Sequence, residues 1–230
     1  MTPPNSTEII FVVDRSGSMS SIAADMRGGF DTFITEQKKV AGECHVTLTQ
    51  FDDHYDVVYT RMPLGLVPPL ELVPRGSTAL LDALGRTIDQ TVARLAAIPE
   101  ADRPSKVLLV VITDGAENAS REYNRARIAS MITTQRTKFS WDFVFLGANQ
   151  DAIVAAQGLG IQASNVVNYV ASAAGAEGLM RGLSHQVSNY RSSKGSADLE
   201  NVQAAYNAAT TGGAMPDAAG VVVTGANGKP

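Results

Sequence analysis

The chain has 230 residues, of which 44% are hydrophobic and 18% charged, a balance that describes a globular protein rather than a disordered one. A net charge of −4 without any dense Lys/Arg cluster argues against a nucleic-acid partner, which would demand a basic face. A single cysteine, Cys44, rules out an intrachain disulfide.

Residues 1–6 read as an N-terminal extension. The stretch Met1 to Glu8 has no basic region followed by an apolar one, so no secretory signal is expected. Glu8–Asp14 reads as a strand whose unbroken apolar centre implies burial on both faces. Ile22, Met26, Phe30, Phe33 and Ile34 then repeat at helical spacing, with Ser20 or Ser21 as the expected cap. Cys44–Phe51 and Tyr55–Thr60 alternate as strands around Asp52-Asp53-His54, which predicts a hairpin and an antiparallel pair. On such a strand Cys44 and His45 point to opposite faces and cannot act as a catalytic pair.

Pro63 to Pro74 holds four prolines and is expected to be a surface connection. Leu72-Val-Pro-Arg-Gly-Ser77 matches a protease-cleavage sequence common in expression tags, but it runs unbroken into Thr78 and is read as native. An amphipathic helix follows, with Leu81, Leu84, Ile88, Val92 and Leu95 on one face. Lys106–Thr113 is a second buried strand, Glu122–Lys138 a helix packing through Ile128, Met131 and Ile132, and Trp141–Gly147 another strand. A short Ala-rich helix over 151–157, a weak strand near 165–170 and a helix over 176–191 complete the pattern. Residues 7–210 are expected to form one domain. Residues 211–230, rich in Gly and Ala, read as a flexible tail. Alternating strands and helices predict an α/β fold: an open, doubly wound, mostly parallel sheet with helices on both faces. No run approaches the length of a membrane span, so the expectation is a cytoplasmic chain with no membrane partner.

Asp14 and Asp114 end the two most apolar strands. In open parallel sheets ligands bind beyond the carboxyl ends of the strands. Phosphate-binding folds place glycine-rich loops there, and this chain has neither GxGxxG nor a P-loop. It offers Asp14-x-Ser16-x-Ser18, Thr78 within Gly-Ser-Thr-Ala, and Asp114 within Thr-Asp-Gly. Carboxylates and hydroxyls repel phosphate and attract a hard cation, so Mg²⁺, Mn²⁺ or Ca²⁺ fits better than zinc or copper. The five residues cannot easily fill six positions, which leaves room for water or a ligand. Gly17 would let the first loop bend, and Gly115 would let the backbone come close.

The set Asp14, Ser16, Ser18, Thr78 and Asp114, in its strand context, resembles the metal-ion-dependent adhesion site of the von Willebrand factor type A family. The resemblance covers residues 7–192. It implies a six-stranded, Rossmann-like sheet with one antiparallel edge strand. It also implies direct coordination by Ser16, Ser18 and Thr78, with Asp14 and Asp114 acting largely through water. Small size and short loops are similar to stand-alone intracellular bacterial or phage members, for which an AAA+ ATPase is one implied partner class. The expected function is non-enzymatic: capture of a partner protein's Asp or Glu carboxylate by the bound cation. Two alternatives stand beside it. One is a Mg²⁺-dependent phosphohydrolase with Asp14 as nucleophile, although Ser16 stands where such enzymes carry a second aspartate. The other is a structural subunit with a vestigial metal site. Other groups weighed are Asp52, Asp53, His54 and Asp56 as a second cation site, read as a polar turn, and Glu117, close enough in sequence to reach the metal face. Asn149 and Asp151 are read as a helix cap rather than as lining for that face.

Overall fold

A computed structural model describes residues 6–148, 150–193, 199 and 202–216. The strands are β1 (Ser6–Asp14), β2 (Glu43–Phe51), β3 (Tyr55–Pro63), β4 (Lys106–Thr113), β5 (Asp142–Gly147) and β6 (Val166–Asn168). The helices are α1 (Ala23–Gln37), α2 (Leu80–Ala97), α3 (Arg125–Phe139), α4 (Gln150–Gly158), α5 (Ala173–Ser192) and α6 (Val202–Thr211). The strands form one six-stranded sheet in the order β3-β2-β1-β4-β5-β6. Among the described residues only β2 and β3 pair antiparallel. The expected α/β sheet with an antiparallel edge is therefore the observed one.

The apolar runs are buried on both faces because successive side chains alternate. Ile9, Phe11 and Val13 face a core completed by α1, α5 and α6, in which Phe11 meets the rings of Phe30 and Phe33 edge-on. Ile10 and Val12 face a second core completed by α2, α3 and α4. Both central strands therefore end at the same edge of the sheet, and their last residues emerge there together.

Several boundaries differ from the sequence reading. Neither Ser20 nor Ser21 caps α1. Residues Gly17–Ser21 form a single 3-10 turn, Ile22 stands at the helix start, and Ser20 Oγ donates to Gly17 O at 2.7 Å. The turn buries Met19 beneath the loop and leaves Ser18 facing outward. The segment 63–74 is irregular, as its prolines require, but it is not only a surface connection. Leu64, Val67, Leu70 and Leu72 are buried in the α1 face of the core. The third helix begins at Arg125, with Asn124 Oδ1 accepting from Arg127 N at 3.0 Å. The preceding 121–123 are held instead by Asp82, whose carboxylate accepts from the N–H groups of Arg121, Glu122 and Tyr123. Helix α6 was not expected at all. Gln203 Oε1 accepts from Asn168 N, and the Tyr206 hydroxyl accepts from Val170 N, so α6 satisfies backbone donors at the β6 edge. Of the tail read at 211–230, residues 217–230 lie outside the described residues, as does Asn149. The side chain of Asp151 is likewise not described.

Asp142, at the start of β5, accepts from the Tyr190 hydroxyl at 2.9 Å. Burial pushes its carboxyl up to about 6, against the pull of that hydrogen bond. A raised carboxyl contributes stability that is present below its unfolded pKa and is lost as pH rises through about 6. Asp142→Asn keeps an acceptor for Tyr190 without the charge. It is expected to stabilise the chain by roughly 1–2 kcal/mol at pH 7.5 and to flatten the fall in stability from about pH 4 to 7.5, which in the unaltered chain is steepest below about pH 6. Denaturant unfolding across that range measures both, and a destabilised variant at pH 7.5 would contradict the assignment.

Candidate functional site

The three loops that leave β1, β4 and the start of α2 meet at the carboxyl edge of the sheet. Asp14 is fully buried and both its oxygens are engaged. Oδ1 accepts from Ser16 N at 2.6 Å, and Oδ2 accepts from Thr113 Oγ1 at 2.6 Å. The first bond folds the loop back over the strand end and turns Ser16 toward Ser18. Their hydroxyl oxygens lie 3.0 Å apart. Ser18 Oγ donates to Asp114 Oδ1 at 2.6 Å, which joins the first loop to the third.

Thr78 completes the group from the second loop. Its side chain is placed by reference to Gly115, where a side chain, if present, would begin 3.1 Å from Thr78 Oγ1, 3.5 Å from Ser18 Oγ and 3.8 Å from Asp14 Oδ2. One point beside the Gly115 backbone, itself in the third loop, thus sees oxygens from the first and second loops, and Asp114 joins them through its bond from Ser18. The structure brings Asp14, Ser16, Ser18, Thr78 and Asp114 into one cluster.

Burial makes ionisation of the two acids in the cluster costly. Burial pushes the Asp14 carboxyl up to about 6, although hydrogen bonds from Thr113 and Ser16 act the other way. Burial also raises Asp114, against the hydrogen bond from Ser18. A cation at the cluster would offset the cost that burial imposes on both carboxylates. Every side-chain donor is oxygen, two charged and three neutral, and that chemistry fits a hard divalent ion.

Some expected roles fall elsewhere. Glu117 does not reach the cluster. Its Oε2 accepts from Leu81 N at 2.9 Å and its Oε1 from Ala119 N and Ser120 N, so it caps α2 and its own loop. Asp52, Asp53 and His54 bring potential ligand atoms within 4.8 Å of one another. Yet Asp52 Oδ2 already accepts from Arg15 Nε at 3.0 Å and Arg75 Nε at 2.7 Å, and His54 N binds its Oδ1. Two guanidinium groups hold that carboxylate, so the hairpin ties loops together, as its reading as a polar turn implied. Thr113 and Tyr169 were missed. Thr113 sits within the Thr-Asp-Gly motif and fixes Asp14, while the Tyr169 hydroxyl donates to Thr113 O at 3.4 Å from β6's end.

No family model matches the sequence, and no curated protein matches it. Solved structures do match. Proximal thread matrix protein 1 from the mussel byssus superposes with a TM-score of 0.54 at 16% identity, over 78% of this chain and 45% of that one. A von Willebrand factor type A protein from Catenulispora acidiphila gives 0.54 at 15% identity, over 80% and 43%. The ArnB paralog VWA2 from Sulfolobus acidocaldarius gives 0.50 at 11% identity, over 78% and 44%. The fold is that of a von Willebrand factor type A domain. The chain spans less than half the length of each of these proteins. One form of the mussel protein is described with zinc in its metal-ion-dependent adhesion site. Among the described residues, no helix is long and apolar enough to cross a membrane.

Proposed function

We propose that this chain is a protein-binding module of the von Willebrand factor type A family that holds a divalent cation with Asp14, Ser16, Ser18, Thr78 and Asp114. The observation that carries the reading is that oxygens of the first two loops converge on one point beside Gly115, while Ser18 binds both Ser16 and Asp114 of the third loop. When bound, the ion supplies an electrophilic centre for a carboxylate. The three hydroxyls bring no charge, so the two aspartates alone offset the ion, and an acidic side chain of a partner protein completes its shell. Mg²⁺ or Mn²⁺ suits the all-oxygen donor set, and Ca²⁺ is the next choice. The zinc found in the mussel protein supports a divalent ion in this fold, not zinc here. Within this reading an AAA+ ATPase is one partner class.

Hydrolysis through Asp14 is the poorer account. Both carboxylate oxygens accept hydrogen bonds, from Ser16 N and Thr113 Oγ1, and the side chain is buried beneath the loop, which suits a fixed charge beside an ion and hinders in-line attack on a phosphorus atom. A library of peptides bearing Asp or Glu, passed over the immobilised chain, tests the reading. Retention is expected in Mg²⁺ and should vanish with chelator and in Asp14→Ala. Equal retention in all three conditions rejects the module. Turnover of p-nitrophenyl phosphate that Asp14→Asn abolishes would establish the hydrolase in its place.

A further inference from the structure

The second and third loops are not merely neighbours. Thr78 has its two backbone groups engaged by one residue of the third loop. Asn118 Oδ1 accepts from Thr78 N at 2.9 Å, and Asn118 N donates to Thr78 O at 3.0 Å. Ala119 N donates to the same carbonyl at 3.2 Å. Bonds on both sides of one α-carbon limit rotation about the flanking peptides and therefore set where the side chain points. Thr78 is buried, with Oγ1 facing the Gly115 backbone.

The clamp is reinforced beyond Asn118. Ser120 Oγ accepts from Asp82 N at 3.0 Å, and Glu117 accepts from Leu81 N. In return, Asp82 accepts three N–H groups from 121–123. Residues 78–82 and 117–123 therefore form one hydrogen-bonded body. That body carries Thr78, and its chain leads directly from Asp114 and Gly115. By contrast, the first loop joins the second through Gly17 N to Gly76 O at 3.2 Å and Arg75 N to Arg15 O at 2.7 Å, neither of which touches Thr78.

We infer that Asn118 is a positioning residue of the metal site, which holds Thr78 Oγ1 on the ion by bracketing the Thr78 peptide groups. The inference rests on the proposed cation-binding role of Thr78. Asn118 itself is exposed, so its replacement leaves the core intact. Groups that orient metal ligands from behind typically change affinity by about 10–100-fold when removed. Asn118→Ala is accordingly expected to weaken Mn²⁺ binding by about tenfold. Asn118→Asp, which retains the acceptor oxygen, should recover most of that loss.

The deciding measurement is a double-mutant cycle in Mn²⁺ affinity, by calorimetry on the full chain, with Thr78→Ala and Asn118→Ala alone and together. If Asn118 acts through Thr78, the second substitution adds little to the first. Fully additive losses, or an Asn118→Ala chain that binds as the unaltered protein does, overturn the positioning role. Wild-type protein that binds no Mn²⁺ would overturn the cation reading as well, and that outcome is distinct from the other two. Unfolding in chelator completes the test. A loss of stability that tracks the loss of affinity across the Ala and Asp variants would point to a structural role only.

Discussion

A Gly115→Ala chain is expected to fold normally and to lose the affinity for a divalent cation proposed above. The added methyl would sit 3.1 Å from Thr78 Oγ1 and 3.5 Å from Ser18 Oγ, where the proposed ion would have to lie. Gly115 lies outside the left-handed region, so alanine adds no backbone strain there. The effect on affinity should exceed that of removing a supporting group, so Mn²⁺ binding should weaken by at least about 100-fold. Stability in chelator should stay level or rise by about 0.4–1 kcal/mol, because alanine restricts the unfolded chain. Calorimetry with Mn²⁺ alongside denaturant unfolding separates the two. An affinity within about threefold of the unaltered chain would move the ion away from the Gly115 backbone, and with it the proposed ligand set.

Asp52→Ala is expected to have the largest effect on stability. Asp52 is fully buried and binds Arg15, Arg75 and its own turn at His54 N. Arg15 is buried as well, and it holds Asp56 through its other nitrogen at 2.5 Å. Removing Asp52 leaves a buried guanidinium short of its partner, a change that costs about 3–5 kcal/mol. The bond to Arg75 contributes less, because that side chain is largely exposed. For a domain of this size the melting temperature should fall by roughly 10 °C. Acid should reproduce part of the loss. Burial opposes ionisation of Asp52, but the Arg75 hydrogen bond, the His54 N–H and the Arg15 charge outweigh it and hold the carboxyl below its usual range. A lowered carboxyl contributes stability present above its unfolded pKa and lost as pH falls through the folded value. The unaltered chain should therefore lose stability below about pH 4 more steeply than Asp52→Asn does. A difference between Asp52→Ala and the unaltered chain below about 1 kcal/mol at pH 7 would show that the ion pair carries little.

Much of the molecule was legible because its central strands are so apolar. Ile9 to Val13 and Val107 to Ile112 leave no choice but burial on two faces, and burial on two faces demands helices on both. The carboxyl edge follows, and Asp14 and Asp114 fall at it. The hairpin at Asp52 was legible for a different reason, since three polar residues interrupt alternating runs. Helix α6 was not legible. Its sequence, Val202 to Thr211, is short and Ala-rich, and its packing depends on a glycine in another helix. A side chain at Gly182 would begin 2.8 Å from Tyr206 N, so only glycine lets α5 and α6 approach as they do. The destination of Glu117 was hidden for a similar reason. Its place near Asp114 allowed either a reach to the metal face or a solvated loop charge, and its partner proved to be the start of a helix more than thirty residues upstream in the chain. The 3-10 turn at Gly17–Ser21 shows that serines beside a helix start can serve the loop instead of the cap.

The bonds that Gln203 and Tyr206 accept from Asn168 and Val170, at and just beyond β6, bear on how copies of this chain tolerate crowding. A sheet edge with bare N–H groups invites strands from other molecules. Helix α6 occupies the Asn168 donor of β6 and the Val170 donor just beyond it with its own side chains, so an incoming strand would have to displace them. At the opposite flank β3 pairs with β2 through an interrupted register, and Arg61 takes a left-handed backbone with φ of 45°. An incoming strand meets a broken template there. Both margins of the sheet are thereby defended, one by a helix and one by irregularity. Sheet-to-sheet pairing between copies is disfavoured at two places without any contribution from the loop edge where the oxygens gather.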